Sequence, residues 1–277
     1  MFVACKISKN EITQQGDFYE FYNQITNYAL NEIKNKISKR TPPNNKLDKY
    51  FIDKLENQTI LSGEQIIQDN FPNSINANVF ISHSHYDKIY ALFLKSYLKK
   101  NFNLNCFIDS LVWHNAFNLL KNVDESFSKK GENLYDYDKR NQTTSNIFIM
   151  LANALSYMID KCPIVIFISS EHSQVSYKDS MVLQDKTYSP WLFHEISMVH
   201  LLPRKKPPFP IANESKQNKI AADFGFKIEY PIGVSDLPSL TFELLSQIEG
   251  EVDIYDDIIK TYNAIIKMHN LLYEENN

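Results

Sequence analysis

The chain has 277 residues, of which 43% are hydrophobic, and its 29 Lys and Arg against 33 Asp and Glu give a net charge of −4. This composition supplies enough apolar side chains for a folded core and excludes global disorder. A slightly acidic chain also lacks the basic character of a dedicated nucleic-acid binder. We therefore expect no nucleic-acid partner.

The three cysteines, Cys5, Cys106 and Cys162, have neither the even count of a disulfide framework nor the spacing of a metal site. They predict thiols in the core of a protein from a reducing compartment. No apolar stretch approaches the roughly 18 residues that a membrane span needs. Polar residues follow the short apolar run at 1–7 at once, unlike a signal peptide. We expect a cytoplasmic protein without a membrane partner.

Residues 1–75 are predicted to form a helical accessory region. Apolar side chains recur at a helical period over Asp17–Lys39, and Thr41–Asn45 interrupts that pattern. Two further helices are predicted over Leu47–Leu55 and Gly63–Asn70. Because these segments are too small for a large core of their own, we expect the region to pack on the rest of the chain.

After this region, short apolar runs alternate with helical patterns. The runs predict the strands Val79–Ile81, Cys106–Ile108, Ile164–Ile168 and Phe226–Tyr230. The helical patterns predict the helices Ile89–Leu98, Thr143–Asp160, Pro190–Leu201, Leu240–Ile248 and Tyr255–Leu272. This alternation predicts an α/β fold with a parallel sheet of four to five strands flanked by helices. The main domain is predicted over residues 76–250, with 251–277 as a C-terminal helix packed on it.

Ligands of parallel α/β sheets bind beyond the carboxyl ends of the strands. This rule selects the loops 82–87, 109–116 and 169–190 as the place of a binding site. The six glycines of the chain form neither G-x-G-x-x-G nor a P-loop. A nucleotide would therefore be held by side chains and by loop or helix-terminal amides.

Three motifs occur in chain order. Val79–Ser84 and Phe107–Ser110 each include the end of a predicted strand, and Ser189–Glu195 comes after the third predicted strand. Together they resemble the first two boxes and the W-x-x-x-E element of Toll/interleukin-1 receptor (TIR) domains, most closely those of bacterial TIR-like proteins. The segment Tyr135–Asn141 resembles an insertion of that bacterial branch. The resemblance implies a TIR/flavodoxin-like sheet. Ile108–Trp113 departs from the adaptor-type Arg-Asp-x-x-Pro-Gly, which weakens an adaptor interpretation.

The TIR resemblance implies an enzyme that cleaves NAD⁺. Enzymatic members of the family release nicotinamide and leave ADP-ribose or a cyclic product, often in bacterial antiphage immunity. NAD⁺ is then the substrate and no separate cofactor is expected. The resemblance also implies self-association through TIR contacts, with an upstream sensor or a downstream effector as partner. A non-catalytic TIR assembly module and an enzyme acting on nucleoside 5′-monophosphates remain as alternatives.

Glu195 is the candidate catalytic residue. The nicotinamide of NAD⁺ leaves without a general acid because it is already cationic, whereas the ribose gains oxocarbenium character that a carboxylate stabilises. Glu195 follows Trp191 by one helical turn, so both side chains project from one face. Trp191 would then wall the pocket. The alternative interpretation is an ordinary solvated helix glutamate.

Ser82, His83 and His85 follow the first predicted strand and are expected to contact the pyrophosphate or the riboses of the substrate. The spacing of the two histidines also suits a metal, but no third ligand has convincing spacing. We therefore expect no metal site. His194 and Glu195 do not complete an H-E-x-x-H motif, because residue 198 is a methionine.

Asp109 and Trp113 lie in the predicted loop after the second strand. Trp113 either stacks on a ring of the substrate or anchors the loop to the core, and the sequence leaves both open. Asp109 is a substrate-binding candidate, although a turn-forming role is the simpler interpretation. Tyr135, Tyr137 and Arg140 form either a lid or a solvated connection.

Overall fold

The computed structural model describes residues 3–25, 51–55, 58–72, 75–112, 116–132, 134–179, 182–203, 230–252 and 257–273. Two compact units divide the chain. The first unit consists of Met1–Asn27, Asn76–Ile108 and Met158–Asn277. The second unit consists of Tyr28–Ile75 and Asp109–Tyr157.

Strands and helices of the described residues are numbered in chain order. The strands are β1 Val3–Ser8, β2 Phe51–Leu55, β3 Gln58–Leu61, β4 Val79–Ser82, β5 Cys106–Phe107, β6 Lys129–Gly131, β7 Leu134–Tyr135, β8 Ile164–Ser169, β9 Val175–Asp179, β10 Val182–Thr187 and β11 Tyr230–Pro231. The helices are α1 Lys9–Thr13, α2 Gly63–Asn70, α3 Lys88–Phe102, α4 Asp109–Val112, α5 Ala116–Phe127, α6 Tyr137–Lys161, α7 Pro190–Leu201, α8 Phe242–Val252 and α9 Asp257–Tyr273. Residues 18–25 are also helical, and His85–Asp87 form a 3₁₀ turn.

The first unit is built on a parallel sheet with the strand order β1-β8-β4-β5. Ile164 of β8 pairs with Val3 on one side and with Val79 on the other, and Val79 pairs with Cys106. The central strands are almost wholly apolar and buried, as expected when helices cover both faces of a parallel sheet. The predicted α/β class with a four-stranded parallel sheet is confirmed.

Side chains alternate between the two faces of this sheet because successive residues of a strand point in opposite directions. Ile164, Ile166 and Ile168 belong to one core that also takes up side chains of α3, α8 and α9. Burying each such side chain contributes about 1.5–3 kcal/mol. On the opposite face, Phe80 packs against Phe107, with 5.5 Å between the two ring centroids. The alternation places Ser82 on the same face as Phe80.

The strand β1 corrects the predicted organisation of the first 75 residues. Val3–Ser8 were expected in a helical accessory region, but they pair along their whole length with β8. The hydroxyl of Tyr273, at the end of α9, accepts a hydrogen bond of 3.2 Å from the Ala4 amide. Lys6 donates a hydrogen bond from Nζ to Val234 O at 3.0 Å. This contact holds the charged group at the edge of the apolar sheet. Residues 3–8, which were assigned to a helical region, thus form an edge strand of the main sheet.

Further expectations for the first 75 residues have mixed outcomes. Gly63–Asn70 is helical as predicted. The helix predicted over Leu47–Leu55 is wrong for residues 51–55, which form β2 and pair with β3 in an antiparallel hairpin. Residues 26–50 lie outside the described part of the chain, as do most of the helix predicted over Asp17–Lys39 and the break at Thr41–Asn45.

Only the last residue of the strand predicted over Phe226–Tyr230 lies in the described part of the chain. Tyr230 pairs with Thr187 of β10 in an antiparallel sheet of the order β11-β10-β9. The loop predicted over 169–190 therefore contains the β9–β10 hairpin. The fourth strand of the parallel sheet is β1 instead.

The three cysteines are buried thiols that form no disulfide bond, as expected. Burial raises the pKa of Cys106 and of Cys162 to about 12, so both thiols remain protonated near neutral pH. They act as small apolar side chains of the core. Among the described helices, none is both long enough and apolar enough to cross a membrane.

Candidate active site

The carboxyl ends of β4 and β8 form the point where the chain reverses its direction of travel across the sheet. From β4 the chain moves to β5 on one side, and it returns to β8 on the other side of β4. Loops leaving two such adjacent strands diverge and leave a crevice, which is where parallel α/β proteins bind ligands. The residues that follow β4 and β8 therefore define the candidate site.

Glu195 reaches this edge from α7. The helix begins at Pro190, whose fixed φ suits the first helical position, and the Ser189 hydroxyl caps it by accepting a hydrogen bond from the Leu192 amide at 3.3 Å. These two signals set the helix start, and the predicted bounds Pro190–Leu201 are confirmed. They place Glu195 in the second turn of the helix, directed at the sheet.

The carboxylate of Glu195 is buried against the end of β4. Its side chain is only 4% exposed, and Ser82 donates a hydrogen bond from Oγ to Oε2 at 2.5 Å. Ser82 is itself buried. A buried carboxylate is costly unless hydrogen bonds replace its water, and the Ser82 hydroxyl supplies one. The structure thus brings together two sequence-predicted site residues and excludes a solvated helix glutamate.

The aromatic neighbours of Glu195 in sequence differ in their surroundings. Trp191 is half-buried and lies one helical turn before Glu195. The ring of Phe193 instead stacks on Tyr230 with 4.6 Å between centroids. Phe193 therefore holds α7 against the antiparallel sheet.

A second buried carboxylate, which the sequence reasoning missed, lies at the same edge. Asp87 is fully buried, and its Oδ2 accepts a hydrogen bond of 2.5 Å from the hydroxyl of Ser170. Burial raises the pKa of the Asp87 carboxyl above its ordinary value, and the Ser170 hydrogen bond opposes part of that rise. This contact ties the loop after β4 to the loop after β8.

The Ser170 hydroxyl organises the loop after β8. It accepts hydrogen bonds from the amides of His172 at 3.0 Å and Ser173 at 3.2 Å, while it donates to Asp87. The next residue, Glu171, forms an ion pair with Lys9, the first residue of α1. The loops leaving β1, β4 and β8 are thereby connected to one another.

Two buried side-chain oxygens at this edge have no hydrogen-bond partner among the described residues. They are Asp87 Oδ1 and Gln174 Oε1. The amide nitrogen of Gln174 donates to Ser169 Oγ at 2.8 Å, which fixes the orientation of that side chain. Unsatisfied buried acceptors are rare in folded proteins and call for an explanation.

The histidines of the loop after β4 have different positions. His83 is buried, with Nδ1 at 3.4 Å from Ile81 O, whereas His85 is exposed in the 3₁₀ turn. Tyr86 is 77% exposed, and its ring lies 5.2 Å from that of His172. Within the part of the chain that the structure describes, no group of three His, Cys, Asp or Glu side chains is arranged to hold a metal ion.

The remaining candidates follow β5. Asp109 is the first residue of α4 and is half-buried in the second unit. Trp113 lies outside the described residues. Their predicted contacts with a substrate therefore stay predictions.

Comparisons with known proteins found no relative of this chain. No family model matches it, and neither the curated proteins nor the solved structures contain a match. The fold and the site define the class of the protein as a parallel α/β protein with two buried carboxylates at the switch point of its sheet.

Proposed function

We propose that this protein cleaves the bond between nicotinamide and ribose in NAD⁺, with Glu195 as the catalytic residue. The observation that carries the proposal is the buried carboxylate of Glu195, fixed by Ser82 at the carboxyl edge of the sheet. A negative charge in a site of low polarity interacts strongly with a positive charge that develops beside it. The resemblance of Val79–Ser84 and Ser189–Glu195 to TIR motifs supports NAD⁺ as the substrate.

In the proposed reaction, the bond between ribose C1′ and the nicotinamide nitrogen breaks, and its electron pair neutralises the nicotinamide. The ribose acquires positive charge, which the Glu195 carboxylate stabilises. The oxygen of water then bonds to C1′ and releases a proton, giving ADP-ribose. A hydroxyl or ring nitrogen of the same substrate in place of water gives a cyclic product.

Ser82 donates to Glu195 in the resting chain and keeps that side chain oriented before substrate arrives. The segment after β4 that carries His83 and His85, together with Trp191 of α7, then supplies contacts to the rest of the dinucleotide.

The biological setting of this proposal comes from the TIR resemblance alone. On that basis we propose that the protein acts in bacterial antiphage immunity, in the cytoplasm, and that self-association of the chain activates it. An upstream sensor or a downstream effector of the product completes such a system.

The test is release of nicotinamide from NAD⁺ by the full chain at high protein concentration, followed by mass spectrometry of the products. Glu195→Gln keeps the shape of the side chain and removes its charge, so we expect activity to fall by at least about a hundredfold. Glu243→Gln is the matched control, because it removes the same charge from an exposed helix position. Equal activity of the two variants would remove Glu195 from catalysis.

A second candidate function is a non-catalytic assembly module. The hydrogen bond from Ser82 already compensates part of the burial of Glu195, as a structural carboxylate requires. In that case the wild-type chain releases no nicotinamide, and the only effect of Glu195→Gln is a lower stability. The wild-type assay, run at several protein concentrations, separates the two candidates.

A further inference from the structure

The second unit contains a surface cavity of about 280 Å³ that the proposed function does not use. It is lined by Phe117, Leu120, Lys121, Asp124, Tyr135 and Arg140. The helix α5 contributes four of these residues, and the β7 strand and α6 contribute the other two. This volume lies just below the range of typical small-molecule pockets, about 300–1,000 Å³.

The cavity presents two cations whose donors are available to a ligand. Arg140 bonds from Nε to Asp124 Oδ2 at 3.2 Å. Within the described part of the chain, no protein group accepts a hydrogen bond from its two Nη groups or from Lys121 Nζ. An arginine fixed by one edge presents its remaining donors in a set geometry, which favours an oxyanion.

The single carboxylate of the cavity is already satisfied. Asp124 is 3% exposed, and its oxygens accept hydrogen bonds from Arg140, from Ser128 at 3.2 Å and from Thr143. The lining carries one negative and two positive charges, so its net charge is +1. The negative charge lies beneath the surface, whereas the two cations are exposed. A negatively charged ligand therefore complements the cavity better than a cation does.

The rest of the lining is aromatic and apolar. Phe117 is 60% exposed at the rim, held by an edge contact with Phe148 at 5.6 Å between centroids. The Tyr135 ring lies 5.2 Å from the Arg140 guanidinium. Phe117 and Tyr135 lie beside the two cations and offer aromatic surface on which a planar ring of a ligand can stack. Aromatic side chains stack on the bases of single-stranded nucleic acids in the same way.

We propose that this cavity binds a small anion that carries one planar ring, of the nucleoside monophosphate class. The phosphate contacts Lys121 and Arg140, and the ring lies against Phe117 and Tyr135. The inference is independent of the NAD⁺ proposal, because it rests on other residues and on the second unit alone.

The test is calorimetric titration of the full chain with AMP, adenosine and inorganic phosphate as separate probes. We expect saturable binding of AMP that is tighter than the binding of either fragment. Lys121→Gln is expected to weaken AMP about tenfold by removing a charge-assisted hydrogen bond. Phe117→Leu is expected to weaken AMP and adenosine by a similar factor through lost stacking.

Matched controls separate this cavity from other sites. Lys100→Gln removes an exposed cation from the end of α3 and should leave binding unchanged. Lys121→Gln and Phe117→Leu change exposed side chains. Unlike Arg140→Gln, they leave Asp124 with its ion-pair partner. Absence of saturation at millimolar AMP overturns the proposal. So does a loss of AMP binding in Glu195→Gln but not in Lys121→Gln, because AMP would then occupy the candidate active site.

Discussion

The Ser82 hydroxyl and the Glu195 carboxylate join the last residue of β4 to the second turn of α7 through a hydrogen bond of 2.5 Å. The two residues lie 113 positions apart in the chain, and both are buried. The pair connects the orientation of the candidate catalytic group directly to the central strands of the sheet. Substitutions of either partner should therefore change activity and stability together.

Removal of the Ser82 hydroxyl is the first test of this pair. Ser82→Ala leaves the buried Glu195 carboxylate without this donor, which costs about 1–3 kcal/mol of unfolding free energy. Nicotinamide release should fall about tenfold to a hundredfold, because the carboxylate loses its fixed orientation. Urea unfolding and the nicotinamide assay measure the two effects. Ser126→Ala, at an exposed helix position, should change stability by less than about 0.5 kcal/mol.

Asp87 predicts a specific dependence of stability on pH. Its folded-state pKa is raised by burial, so its protonated form is favoured in the folded chain. The resulting stabilisation is present below the unfolded-state pKa and is lost as pH rises through the raised folded-state pKa. Asp87→Asn should remove this loss and preserve the acceptor for Ser170.

The measurement is urea unfolding of wild type and Asp87→Asn between acidic and neutral pH. The groups around Asp87 include Glu171, His172 and Lys9, and both proteins contain them. The difference between the two curves therefore isolates Asp87. A difference that does not vary with pH would contradict the raised pKa.

Two glycines of the first unit should respond to alanine in opposite ways. A Cβ on Gly233 would lie 2.8 Å from His200 Nε2 and 3.1 Å from Asp236 Oδ2. Gly233→Ala should therefore destabilise the fold by about 1–3 kcal/mol through overpacking. A Cβ on Gly250 in α8 meets no atom within 4 Å, and Gly250→Ala should stabilise that helix by about 0.5–1 kcal/mol. Thermal unfolding of both variants checks the signs, and equal shifts would contradict this packing.

The sequence predicted those parts of the fold whose signals are local. Ile164–Ser169 is a continuous apolar run, and Ser189 with Pro190 marks a helix start, so β8 and α7 were identified with nearly correct bounds. The pattern of strand and helix also led to the correct edge of the sheet for Ser82 and Glu195.

Long-range contacts explain what the sequence did not predict. The run Val3–Ile7 is interrupted by Lys6, and only its pairing with β8, some 160 positions away, makes it a strand of the main sheet. Asp87 immediately precedes a helix, a position where an aspartate commonly caps the helix, yet it makes no side-chain capping hydrogen bond. Its role depends on Ser170, 83 positions further along the chain, which no local pattern encodes.

The central place of β8 has a consequence for how the chain is made. Both β1 and β4 pair with β8. Until the ribosome has synthesised that late strand, β1 has no partner in the sheet and β4 has only β5. Until then the apolar residues of β1 emerge as an unpaired segment, which is prone to association with other nascent chains. Folding of the sheet is thus delayed until more than half of the polypeptide has been translated.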